Sequence, residues 1–171
     1  ARDAGLGKPI LVGHSFGGTL ARIAAHLAPD AFAGLLLVDS ALSSSPSGRS
    51  PPKLPVTKTR CYTTEEEAAR RFRLRPPQPV RHLLLARHIA RHSVKATPQG
   101  YCFKLDPALF AKMTAEPDYP DAHTMMKSLT VDTALIYGTE SRFFPPEVVE
   151  KMPSLFAPDR IESIAGAHHH V

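Results

Sequence analysis

The feature that most restricts the fold is the pentapeptide Gly13-His14-Ser15-Phe16-Gly17, which stands between an apolar run and a helical pattern. Lys8-Pro9-Ile10-Leu11-Val12 stops at Gly13, as a strand buried in a parallel sheet does. From Gly17 to Ala28, the residues Leu20, Ile23, Ala24 and Leu27 recur at helical spacing, and Pro29 closes the segment. A chain that passes from strand to helix this quickly turns sharply, so the positions flanking Ser15 have to be small. Gly13 and Gly17 meet that need, and Gly18 lets the helix approach the sheet closely. The turn holds the serine hydroxyl out at the C-terminal edge of the sheet. It also aims the Phe16 backbone N–H at an oxyanion forming beside that hydroxyl, with the positive end of a helix behind it.

A second apolar run, Gly34-Leu35-Leu36-Leu37-Val38, ends at Asp39. Strand, helix and strand within about 30 residues form a βαβ unit, which predicts an α/β protein with a parallel sheet. The character then changes. Ser43 to Pro55 is rich in Ser and Pro and reads as a linker. Thr63-Thr64-Glu65-Glu66-Glu67 is a helix start, with acidic residues in the first turn; the helix is expected to reach Leu74, before Pro76-Pro77. Val80 to His92 reads as a second helix with Leu84, Leu85 and Ile89 on its apolar side, and Tyr101 to Leu105 as a short strand. Pro107 to Thr114 and Asp118 to Leu129 are shorter helical candidates. The sheet resumes with Thr133-Ala134-Leu135-Ile136-Tyr137, stopped by Gly138; a helix from Pro146 to Met152 and a last strand from Arg160 to Ile164 follow. Two βα blocks therefore flank a mainly helical insertion.

Composition removes several classes. At 171 residues, 43% apolar and 22% charged, the chain can bury a core and is neither disordered nor fibrous in type. No apolar run approaches the roughly 18–20 residues of a membrane span, and Ala1-Arg2-Asp3-Ala4-Gly5 lacks the apolar stretch of a signal peptide. The net charge of +5 comes largely from residues between Arg49 and Lys95, set among Pro and Leu rather than aromatic residues. That pattern is a solvated helical face, not a nucleic-acid surface. Cys61 and Cys102 have neither metal nor redox spacing and read as free thiols of a cytoplasmic protein, with a single disulfide between them as the alternative. Neither a membrane nor a nucleic-acid partner is expected.

The elbow, the strand-end Asp39 and the terminal histidines resemble the α/β-hydrolase fold superfamily over essentially the whole chain. More narrowly, Phe72-Arg73-Leu74-Arg75-Pro76-Pro77-Gln78, Ile89-Ala90-Arg91-His92-Ser93, Phe103-Lys104-Leu105-Asp106-Pro107 and Tyr137-Gly138-Thr139-Glu140-Ser141 resemble segments of bacterial serine hydrolases with a helical cap. The resemblance implies a core at 1–42 and 129–171 and a cap at 43–128. Its apolar residues, with Phe143 and Phe144, are expected to line an acyl or leaving-group pocket. Such enzymes begin with further strands, one followed by a loop that gives a second oxyanion N–H. The chain is therefore expected to be the C-terminal part of the catalytic domain, cut short at its start and slightly at its end, with an exposed sheet edge.

A serine hydroxyl needs a base, and in this fold the order along the chain is Ser, acid, His. The usual Gly-x-Gly-His pattern, laid over Gly166-Ala167-His168-His169-His170-Val171, puts the base at His169 with His168 in the glycine's place; a slip of one residue selects His168. Adjacent histidines rarely share one ion in a structured site, and no Cys or acidic residue has ligand spacing, so no metal or organic cofactor is expected. Two carboxylates compete for the third role. The ordinary position, three residues beyond Gly138, holds Ser141, with Glu140 beside it; the other known location is the preceding strand end, Asp39. Asp39 is the choice and Glu140 the alternative. His14, just before the nucleophile, is placed at the pocket, whereas His26, His82, His88, His92 and His123 have non-catalytic explanations. The expected activity is acyl transfer from an ester-like small molecule to water through Ser15. A non-catalytic ligand-binding relative is the alternative from another class, and C–C bond hydrolysis or acyl transfer on the same residues is the alternative chemistry. Neither substrate nor oligomeric state is fixed by the sequence.

Overall fold

The computed structural model describes residues 5, 7–42, 60–106 and 120–171. The chain divides into two compact units, residues 1–50 with 119–171, and residues 51–118. The expected linker from Ser43 to Pro55 and the helical candidate from Pro107 to Thr114 fall outside the described residues.

The first unit is built on a four-stranded parallel sheet. Its strands are β1 (Ile10–His14), β2 (Gly34–Val38), β6 (Thr133–Gly138) and β7 (Ile161–Ile164), side by side in that order. Helix α1 (Phe16–Leu27) connects β1 to β2. Helix α4 (Ala122–Ser128) packs on α1, and the short helix α5 (Pro146–Val149) lies between β6 and β7. The core is formed by Ala25, Leu35, Leu37, Leu42, Met126, Leu135, Phe144, Met152 and Phe156, so the strand residues read as apolar runs do supply it.

β1 departs from the expected buried strand. Among the described residues it is an edge strand paired only with β2, and its side chains alternate between faces. Leu11 packs against the core, whereas Ile10 and Val12 are 66% and 65% exposed. An unbroken apolar run cannot distinguish a strand covered on both faces from one covered on a single face.

Asp121 caps α4 by accepting from the backbone N–H groups of His123 and Thr124. The Thr124 hydroxyl also donates to it at 2.6 Å. That bond first, and the backbone bonds with it, hold the Asp121 carboxyl below the ordinary carboxylate range.

The second unit, described by residues 60–106, has two helices and a three-stranded antiparallel sheet in the order β3-β5-β4. The strands are β3 (Cys61–Tyr62), β4 (Val94–Thr97) and β5 (Gly100–Phe103). Helix α2 (Glu65–Arg71) starts where the sequence predicts. The Thr64 hydroxyl accepts from Glu67 N–H, and the Thr63 N–H donates back to the Glu67 carboxylate. Helix α3 (Leu83–His92) follows. The sequence reading found β5 but missed β4, whose hairpin turns at Pro98-Gln99 with Gly100 at φ +112°.

One expectation is overturned in this unit. Cys61 and Cys102 are not free thiols. They face each other across the β3–β5 pair and form a disulfide. Their spacing of 41 residues carries no local signal; strand pairing brings them together. Paired in this way, the two cysteines give no support to a reducing cytoplasmic location. Among the described residues no helix is long and apolar enough to cross a membrane.

Candidate active site

The parallel register sets three strand ends at one edge of the sheet. His14 lies opposite Val38, Val38 opposite Ile136, and Gly138 opposite Ile164. Ser15 and Asp39 follow directly on β1 and β2, and the His168–His170 segment follows β7. Three bonds stitch the edge beyond the ladder: Ser15 N–H to Val38 O at 3.0 Å, Asp39 N–H to Ile136 O at 2.8 Å, and Thr139 N–H to Ile164 O at 3.1 Å.

The turn at Ser15 is strained, with φ 54° and ψ −123°, a region costing a non-glycine residue about 1–3 kcal/mol. Asp39 also has positive φ, at 42°. A Cβ added to Gly13 falls 2.6 Å from Gly17 O and from Gly18 Cα, and one added to Gly18 falls 2.5 Å from the Ser40 side chain. Gly13 and Gly18 are thus the glycines the turn requires. Gly17 is not: a Cβ there meets nothing within 4 Å among the described residues, which corrects the sequence expectation. Ser15 is the N-cap residue of α1, yet its hydroxyl makes no capping bond.

That hydroxyl lies 2.7 Å from His169 Nε2. On the other side of the ring, His169 Nδ1–H donates to Asp39 Oδ1 at 2.7 Å. This tautomer leaves Nε2 with a lone pair facing Ser15. Both members of the His169–Asp39 pair are buried, 2% and 0% exposed, so the bond between them is shielded from water. Asp39 has two further donors: the Ser141 hydroxyl at 2.6 Å on Oδ1 and the Gly138 N–H at 2.9 Å on Oδ2. Gly138 also makes room for the histidine segment, because a Cβ there would overlap the carbonyls of Ala167 and His168.

The alternatives fall elsewhere. His168 Nδ1–H donates to the backbone carbonyl of Glu140 at 3.1 Å, and the Glu140 N–H donates to Ala167 O at 2.9 Å. Glu140 thus meets the histidine segment through its backbone, and its side chain is exposed. His14 Nε2–H donates to His169 O at 2.9 Å, and its ring lies 4.7 Å from that of His169 and 5.2 Å from that of His170. Phe143 lies against His169 at 4.6 Å between ring centroids. Phe144 is different from Phe143: only 4% exposed, it stacks on Tyr137 at 4.9 Å within the core, so its ring has no surface with which to line a pocket. Phe16 is the first residue of α1, so its N–H is one of the helix-start donors without an intrahelical acceptor. Among the described residues no group of three or more His, Cys, Asp or Glu side chains is arranged to hold a metal ion.

Sequence reasoning missed the donors to Asp39. One trace of them was present: Ser141 occupies the position at which a carboxylate was sought. A hydroxyl there bonds to a neighbouring carboxylate instead of supplying one.

A family model for the alpha/beta hydrolase family matches residues 1–171. The chain belongs to the alpha/beta hydrolase family. Similar solved structures include the thioesterase domain from the curacin biosynthetic pathway, at 21% identity and TM-score 0.65, covering 95% of this chain and 62% of that one. E-2-(acetamidomethylene)succinate hydrolase is 19% identical with TM-score 0.70, covering 99% of this chain and 63% of its own. An esterase from Mycobacterium tuberculosis is 18% identical with TM-score 0.67, covering 98% and 56%. At these identities the likeness establishes the fold alone. The chain spans 56% to 63% of the length of these proteins. No curated protein sequence matches it.

Proposed function

We propose that this chain carries the nucleophile, base and acid of a serine hydrolase that cleaves an ester-like bond of a small molecule. The hydrogen-bond chain Ser15 Oγ–His169–Asp39 carries the reading. Ser15 attacks the acyl carbonyl while His169 Nε2 takes its proton. The oxygen of the carbonyl becomes an oxyanion that the Phe16 N–H stabilises. His169 then gives the proton to the leaving alcohol or thiol, and an acyl group remains on Ser15. Water, deprotonated by the same ring, releases the acid and restores the serine. Asp39 keeps His169 in the tautomer this sequence needs and stabilises the imidazolium that forms in each half-reaction.

His14 and Phe143 lie against His169 and are assigned to the wall of the acyl site. The segment 43–128 is assigned to a cap, from the family resemblance. Similar structures named thioesterase, hydrolase and esterase support acyl bonds as the substrate class.

The test is a series of p-nitrophenyl esters and acyl thioesters offered to the intact protein and to S15A. Turnover that disappears in S15A, with a pre-steady-state burst in the wild type, is the expected result. Equal turnover by S15A contradicts the proposal.

A further inference from the structure

We infer that Ser141 is a positioning residue for the acid of this site: its hydroxyl fixes the direction of Asp39 toward His169. The inference rests on the reading of Ser15, His169 and Asp39 given above. It starts from the accounting of donors around a carboxylate that is 0% exposed. Among the described residues, Oδ2 is held by the Gly138 N–H alone, at 2.9 Å. Oδ1 receives both the His169 ring N–H at 2.7 Å and the Ser141 O–H at 2.6 Å. The oxygen that faces the base is therefore the one that Ser141 touches.

The direction of the Ser141 proton follows from its own partners. Ser141 Oγ accepts the Phe143 N–H at 3.3 Å, so its proton is left to point at Asp39. A hydroxyl donating to a carboxylate over this distance is a charge-assisted bond, stronger than a neutral one. The serine is itself immobile. It is 5% exposed, its N–H donates to Gly138 O at 3.0 Å, and its carbonyl accepts from Phe144 N–H at 3.1 Å. The segment Ser141 to Phe143, which starts three residues beyond Gly138, thus contacts both partners of the buried pair, because Phe143 rests on the His169 ring at 4.6 Å.

The consequence is directional. With the Ser141 donor in place, Oδ1 is fixed between that hydroxyl and the ring N–H, and the carboxylate holds the ring with Nε2 turned to Ser15. Without it, Oδ1 keeps the ring N–H and loses the second bond that sets its direction. The rings of His14, His170 and Phe143 also lie near His169, and none of them changes in a Ser141 variant.

The experiment compares S141A, S141C and S141T with the wild type and S15A in the intact protein, using a p-nitrophenyl ester and thermal unfolding in parallel. In S141A, kcat falls about 10-fold to 100-fold, the weight of one hydrogen bond to a charged group, with KM little changed. S141T, which keeps the hydroxyl, returns most of the activity; S141C, a weaker donor of similar size, lies between. A folded S141A with the wild-type kcat overturns the inference. So does an S141A that loses only thermal stability. If S15A itself retains turnover, the reading of Ser15 has failed instead.

Discussion

The two units hold themselves together by different means. In the first, a parallel sheet and its helices enclose a core of nine buried side chains among the described residues, and Asp39, Ser141 and His169 at its edge are buried with partners. In the second, the described buried apolar residues are Ala68, Ala90, Val94 and Cys102, and leucines 83, 84 and 85 on α3 are exposed. Small residues bury little area, so apolar transfer contributes less there. The Cys61–Cys102 bridge acts on that deficit by closing a 41-residue span. The contrast shows where precision is needed: the site sits on the unit whose geometry is fixed by packing, and the other unit relies on a covalent staple.

The largest effect should appear at the edge of the first unit. S15A and H169A are each expected to lower kcat/KM for an ester by roughly 10⁴-fold to 10⁶-fold, and D39N by about 10⁴-fold. A D39N enzyme within tenfold of the wild type would show that the buried carboxylate is structural only. Next is the staple. Removing it as C61S/C102S should cost about 4 kcal/mol by loop-closure entropy. The loss is read from hydrogen exchange at Tyr62 and Tyr101, with Leu37 amide protection retained. Equal loss at Leu37 would break the comparison, because it would mean that the two units unfold as one. L37A is the converse change. It should cost about 2–5 kcal/mol, first in the exchange of β2 and β6, leaving Tyr101 protected. Smallest of all is E140Q, expected to keep kcat/KM within about twofold, since its carboxylate is exposed and its bonds to the histidine segment are made by its backbone.

What the sequence revealed differs between the units for the same reason. The elbow, β2 and β6 are local patterns: an apolar run, then a glycine or a carboxylate where the strand must end. His169 could be placed to within one residue from its neighbours along the chain. The choice between Asp39 and Glu140 was not local. It depends on which side of β6 the histidine segment passes, and that path is opened by the missing Cβ of Gly138. In the second unit the disulfide and β4 were illegible for a related reason. β3 has only two residues, and its pairing with β5 joins positions far apart in sequence. Gly17 shows the opposite error, a local rule applied where the fold leaves open space.

The central claim is that Ser15 is made nucleophilic by the buried His169–Asp39 pair. Its most direct test is labelling of the intact, folded protein with a fluorophosphonate, followed by mass-spectrometric mapping of the adduct. The account predicts one adduct, on Ser15, formed rapidly in the wild type and E140Q, slowly in D39N, and not in H169A. A folded wild-type protein that leaves Ser15 unlabelled, or an H169A variant labelled at the wild-type rate, would contradict it.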